Sequence, residues 1–313
     1  LPSLAGFEIN NFAARVENVT QPGTTRVHID GQIGLLGTEF NISGVLGTDL
    51  QGQLTMTLAG ASPTFGGLSG FEADGTFLLD LTAGRVGFDG SLAGVPGVGN
   101  TTLSASGWIQ SNGTFDVTSS AENPESLDLT GFGVESAVRV ENVTQPGTTR
   151  VHIDGGMSLL GTSFDVEGDL STDGTGELTL ALGSNGDSFN YNNLQFQLPE
   201  SSSTVVLRQY YNEHDHLTGM VDFTGEIANV PGMGTAVVSA SGNLYSNGAF
   251  AFSNSLATPS LENLSFAGFA VDATVEVANY DIEEVDLPGS LVPYDDWDPA
   301  NVRVYFDGDL TST

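Results

Sequence analysis

One stretch of seventeen residues occurs twice without a single change: Arg15 to Gly31 and Arg139 to Gly155 both read RVENVTQPGTTRVHIDG. Chance does not produce such a match, so the chain carries an internal duplication and its fold must accept the same segment twice. A second anchor keeps the register. Val95 to Phe115 contains SASG and then SNG, and Val230 to Phe250 contains the same pieces in the same order. A third, diverged copy begins at Gly268 with GFAVDATVEVAN and resumes, after an insertion, at Arg303-Val-Tyr-Phe-Asp-Gly308. The expected modules are 1–125, 126–260 and a partial third, 261–313, carrying an acidic hairpin insertion. A repeat this long is a domain-sized module and not a solenoid turn.

Within the repeat the apolar residues alternate. Val27, Ile29, Ile33 and Leu35 interleave with Arg26, His28, Asp30 and Gln32, and Leu54, Met56 and Leu58 interleave with Gln53, Thr55 and Thr57. A period of two denotes half-buried antiparallel strands, and no long stretch has a helical period. Turn signals separate the strands: Gln21-Pro-Gly-Thr24, Gly47-Thr-Asp49, Asp74-Gly75, Ala83-Gly84, Val95-Pro-Gly97 and Asn112-Gly113. About nine strands per repeat, joined as a meander, follow from this spacing. Gly6 and Arg15 are nine apart whereas Gly131 and Arg139 are eight apart, so the first copy holds one extra residue, a β-bulge.

A recurring pattern, apolar-x-apolar-x-Gly-x-apolar, places Gly31, Gly44, Gly90, Gly107, Gly155, Gly168, Gly225, Gly242 and Gly308 on the apolar face. Glycine inside a strand marks a bend, a bulge or a close backbone approach. The fold class expected is therefore all-β: tandem antiparallel β-meander modules, each a sandwich or flattened barrel, with Gly-bent strands.

Composition narrows the partners. Thirty-nine acidic residues face seven basic ones, all of them Arg, for a net charge of −32. Such a chain repels phosphate backbones and anionic membranes, so neither nucleic acid nor membrane insertion is expected. No apolar run approaches the roughly 20 residues that span a bilayer. The charge favours solubility, divalent cations and cationic partners. With no cysteine, disulfides and thiolate metal sites are excluded. The chain starts at Leu1 with no signal-peptide pattern and reads as a mature product or a fragment.

Candidate sites fall where the copies differ, because differences between repeats collect in loops. Asn212 to Gly219 replaces a short turn and brings Glu213, His214, Asp215 and His216, ligand types for zinc, copper or nickel; a polar hairpin tip is the plain reading of the same letters. The insertion from Tyr280 to Ala300 carries Asp281, Glu283, Glu284, Asp286, Asp295, Asp296 and Asp298, carboxylates of the kind that hold calcium; the EF-hand pattern is missing, an acidic solvated hairpin or docking arm is the plainer reading, and no cofactor is required. Its Tyr294 and Trp297 also suit a contact surface. His28 and His152 point away from the apolar face. Six N-x-S/T sequons, at Asn18, Asn41, Asn100, Asn112, Asn142 and Asn263, are candidate glycosylation sites. No GxSxG, HExxH or P-loop pattern occurs, so the chain is not read as an enzyme.

The expected role is that of an extracellular or cell-surface structural or adhesive protein. Self-association into a filament or surface array, through strand edges or the C-terminal hairpin, is the expected partnership. The alternative is a ligand-binding module for lipid or glycan, with a glycan-active enzyme as a remote third.

Overall fold

A computed structural model describes residues 3–4, 6–18, 25–35, 38–47, 52–58, 72–119, 124–145, 147–182, 188–191, 193–198, 204–212, 214–230, 233, 237–254, 265–266, 269–279 and 302–312. Among the described residues the fold is all-β, 74% strand with no helix, in an antiparallel meander that does not close into a barrel. The flattened-barrel form expected from sequence is thereby set aside. Two compact units partition the chain. The first comprises Leu1–Asp128, Glu135–Asp154 and Asp169–Gly174; the second comprises Leu129–Val134, Gly155–Gly168 and Thr175–Thr313.

Among the described residues nine strands lead from the N-terminus to Ser119: β1 (Ser3–Leu4), β2 (Phe7–Glu17), β3 (Arg26–Leu35), β4 (Thr38–Leu46), β5 (Gln53–Leu58), β6 (Glu72–Asp80), β7 (Arg85–Ala93), β8 (Leu103–Gln110) and β9 (Phe115–Ser119). Each pairs antiparallel with the next. The bulge sits in β2, where the register to β3 slips between Asn10 and Ala13 and Asn11 adopts a φ of 49°. Two residues there oppose one, as the unequal Gly–Arg spacing requires.

Eleven described strands follow: β10 (Glu125–Leu129), β11 (Phe132–Glu141), β12 (Arg150–Leu159), β13 (Thr162–Leu170), β14 (Gly176–Leu182), β15 (Ser188–Tyr191), β16 (Leu194–Gln197), β17 (Thr204–Tyr211), β18 (Leu217–Ala228), β19 (Val238–Tyr245) and β20 (Phe250–Asn254). The long β18 takes β17 along Leu217–Thr224 and β16 along Glu226–Ala228, so these two strands share one side of it end to end. The final strands are β21 (Ser265–Phe266), β22 (Phe269–Ala278) and β23 (Arg303–Ser312).

Alternation puts every second side chain into a core. In the first unit Phe77 lies 5.0 Å from Phe40 and 5.0 Å from Phe88, centroid to centroid. In the second, Phe189 stacks on Phe196 at 4.8 Å, and Phe223 meets Phe196 and Phe252 edge-on. Each such buried ring contributes about 1.5–3 kcal/mol.

Glycines of the recurring pattern allow neighbouring backbones to come unusually close. A Cβ on Gly107 would collide with the carbonyl of Asp116 and Cα of Val117; one on the matched Gly242 would collide with the carbonyl of Ala251 and Cα of Phe252. Neither glycine has a positive φ, so the requirement is for space.

One expected turn is corrected. Asp74-Gly75 lies inside β6, where Gly75 pairs with Gly90 of β7 and each occupies the place of the other's Cβ. That glycine serves close approach. Ala83-Gly84, Val95-Pro-Gly97 and Asn112-Gly113 are turns, with φ of 66°, 80° and 85° at their glycines. Gln21 to Thr24, Thr48 and Asp49 lie outside the described residues.

Candidate functional site

The feature common to the repeats is a clamp where one copy ends and the next begins. β9 pairs with β11, placing Val117 opposite Val140 and Thr118 opposite Arg139. Just past β11, Asn142 copies a strand with its side chain. Its Oδ1 accepts from the Phe115 N–H at 2.8 Å, its Nδ2 donates to the Gly113 carbonyl at 3.1 Å, and its own N–H donates to the Phe115 carbonyl at 3.2 Å. At the other end of the pairing, Ser119 Oγ accepts from the Val138 N–H at 2.8 Å.

The same arrangement recurs in the second unit. β20 pairs with β22, and Asn279 Oδ1 accepts from the Phe250 N–H at 2.8 Å. Asn279 Nδ2 donates to the Gly248 carbonyl at 2.8 Å, and Asn254 Oδ1 accepts from the Val275 N–H at 2.9 Å. Both clamps satisfy buried backbone groups where the ladder runs out, which a buried strand end requires. Their surroundings differ in charge. Arg139 grips Asp116 with two bonds of 2.8 Å, whereas the matched positions in the second clamp are Glu276 and Ala251. The uncharged hydrogen bonds are therefore the shared element.

Beside the first clamp, Glu141 is 1% exposed. Burial pushes its carboxyl up, and hydrogen bonds from Thr144, Arg150 and the Val143 N–H outweigh this and hold it at about 2. Arg150 donates to Glu141 at 3.0 Å, to Asp169 at 2.6 Å and to the Thr144 hydroxyl. Asp169 also meets His152 Nδ1 at 2.9 Å. A cleft of about 410 Å³ opens over Arg150 and Asp169 and is lined further by Thr148, Thr149, Ser171 and Thr172. Its cation is engaged by two carboxylates, so the cleft offers hydroxyls and amides more than charge.

The first copy of the repeated segment stands in a different environment. β2 pairs with β3 on one side and, at Phe7 and Glu8 only, with β1 on the other. From Asn10 to Glu17 its outer edge carries no partner strand among the described residues. Val16 is 66% exposed, whereas Val140, the same letter in the second copy, is 1% exposed. Phe12 is 41% exposed, and Ala14 and Asn18 are exposed as well. Glu17 meets His28 at 2.6 Å and Arg15 at 3.1 Å, a different network from that of Glu141.

The residues singled out from sequence are placed as follows. His214, Asp215 and His216 form an exposed hairpin tip between β17 and β18. Asn212 builds it, its Oδ1 accepting from the N–H groups of His214 and His216 at 3.0 Å each, and Asp215 takes a φ of 57°. Among the described residues no three His, Asp or Glu side chains converge as a metal site. Glu213, Asp281, Glu283, Glu284, Asp286, Asp295, Asp296, Asp298 and Asn263 lie outside the described residues. Asn41 and Asn100 are exposed, and Asn112 caps its own turn by accepting from Thr114 at 3.0 Å. Asn142, offered as a sequon, is held in the clamp through the nitrogen that a glycan would occupy.

The clamp asparagines were legible as a matched column, Asn18, Asn142 and Asn279, each ending a Val-x-Asn. Asn18 stands in the column but is exposed at a strand edge, so the clamp hidden behind a sequon is that of Asn142. No protein-family model matches the chain, no characterised protein matches its sequence, and no solved structure matches its fold.

Proposed function

We propose that the chain is an extracellular structural or adhesive repeat protein that assembles through the edges of its strands. The observation that carries this reading is the contrast between matched segments: one is covered by a strand, the other has no covering strand among the described residues and exposes Phe12, Ala14 and Val16. Open, apolar strand edges pair with other strands unless they are blunted by charge, proline or a covering loop. The bulge at Asn10–Ala13 twists part of this edge, but Ala14 to Asn18 beyond it remain regular and accessible. The absence of cysteine and lysine and the abundance of acidic side chains suit a saline exterior, where ions screen a charge of −32.

Self-repulsion opposes assembly at low ionic strength. The Debye length shortens from about 8 Å at 0.15 M to about 3 Å at 1 M, so assembly grows with salt. Sedimentation velocity and negative-stain microscopy across that range test the reading. Oligomers or filaments that lengthen with salt support it; a strict monomer at every salt and protein concentration contradicts it.

A glycan-binding role is favoured by one observation, the hydroxyl-rich cleft over Thr148 to Arg150. Native mass spectrometry after incubation with a panel of neutral oligosaccharides tests it, and loss of a bound sugar on Asp169→Ala is the expected sign.

A further inference from the structure

We propose that the edge of β2 from Ala14 to Asn18, which no described strand covers, is an acceptor for the closing strand of another repeat of this kind, a Ser-Asn-Gly-x-Phe-x-apolar-x-Ser/Asn segment such as those that end in β9 and β20. The inference rests on the reading of the chain as an edge-assembling protein and names the edge, the donor and the register.

Identity of sequence supplies the template. Arg139-Val-Glu-Asn142 is paired with Phe115-Asp-Val-Thr-Ser119, and Arg15-Val-Glu-Asn18 presents the same four side chains on a strand of the same kind. Transfer of the register sets Val16 opposite the donor's apolar residue at the Val117 position and Arg15 opposite the Thr118 position. Asn18 then accepts from the N–H of the donor's phenylalanine, as Asn142 and Asn279 do. Arg15 has the reach that Arg139 uses to grip Asp116, and at 71% exposure it is accessible to a donor acid.

The donor's own features fit what the edge lacks. Phe115 and Val117 are 0% and 1% exposed in their clamp, and Phe250 and Phe252 are 0% and 3% exposed in theirs. An incoming strand of this type brings two apolar side chains to a stripe that leaves Phe12 and Val16 in water, and a terminal Ser or Asn to accept the Ala14 N–H as Ser119 accepts that of Val138. This is strand addition, in which backbone bonds give affinity and alternate side chains give specificity. Donors without the phenylalanine keep the backbone N–H but lose the buried ring that holds it in place against the asparagine.

The spacing allows a direct test on the full chain. Gly6 and Phe7 match Gly131 and Phe132, so a copy of residues 111–125 placed ahead of Leu1 stands at the natural distance from β2. The chain has no cysteine, so Val16→Cys together with Val117→Cys in the added copy creates its only two thiols. Val16 is exposed, so this change leaves the core untouched. The expected results are a disulfide with the added Val117→Cys, far slower formation with Thr118→Cys or Asp116→Cys in the copy, and slowed amide exchange at Ala14 and Asn18 in the cysteine-free fusion. Equal trapping at all three positions, or no change in exchange, overturns the proposal. Closure of the fusion while the unmodified chain stays monomeric upholds the donor pairing and discards the assembly reading. Assembly of the unmodified chain with a fusion that fails to close does the reverse.

Discussion

Asparagine at the end of a repeat's first long strand acts as a piece of backbone. At 142 it satisfies the Phe115 N–H and the Gly113 carbonyl, and at 279 the Phe250 N–H and the Gly248 carbonyl. Truncation leaves a buried donor unpaired, at a cost of about 1–3 kcal/mol. Asn142→Ala and Asn279→Ala are each expected to lower stability by that amount in urea titrations. Asn18→Ala, at an exposed position with the same neighbours in sequence, is expected to change it by less than about 0.5 kcal/mol. Glu141 gives a second residue-scale expectation. Its folded pKa of about 2 lies below the ordinary 4.5, so the protonated carboxyl is favoured in the unfolded chain. The stabilisation is complete above about pH 4.5 and is lost as pH falls through about 2. Glu141→Gln should flatten the acid limb of a stability–pH curve in that window while costing stability at neutral pH. The column Asn18, Asn142, Asn279 was visible in the letters, yet its role was not, because a sequon and a clamp are written alike. Asn279 separates the two: Tyr280-Asp281 follows it, so the sequon is gone while the clamp persists.

At the scale of the element, strand identity was the most legible property. Alternation of Val27, Ile29, Ile33 and Leu35 against polar residues describes β3, and the unequal Gly–Arg spacing marks the β2 bulge. Asp74-Gly75 has the letters of a hairpin turn, but it faces Gly90 in mid-strand, because local turn propensity yields to the close approach of β6 and β7. The patterned glycines make a sharper expectation. A methyl group at Gly107 or Gly242 meets backbone of the adjacent strand, which cannot step aside as a flexible side chain can. Gly107→Ala and Gly242→Ala are expected to cost about 1–3 kcal/mol by overpacking, checked by thermal unfolding. Gly133→Ala, where the space is open, serves as the neutral comparison.

For the whole molecule, the boundaries of the repeated sequence and of the compact units do not coincide. The first unit takes in Glu135–Asp154, which belongs by sequence to the second copy, and β9 depends on β11 for its outer partner. A chain cut at residue 125 uncovers the edge of β9 with Phe115 and Val117, and it is expected to bind more hydrophobic dye than the intact chain and to aggregate at lower concentration. Sequence periodicity alone places a border at 125 because letters record duplication and not which strand covers which. The account rests on a single contrast: one sequence, two environments. NMR amide exchange at monomeric dilution measures it most directly, since the two seventeen-residue copies have the same mass and their fragments cannot be told apart by weight. The account predicts that the amides of Val138 and Asn142, which bond to Ser119 and Phe115, are protected, while those of Ala14 and Asn18 exchange freely. Equal protection of the two pairs at that dilution would contradict it.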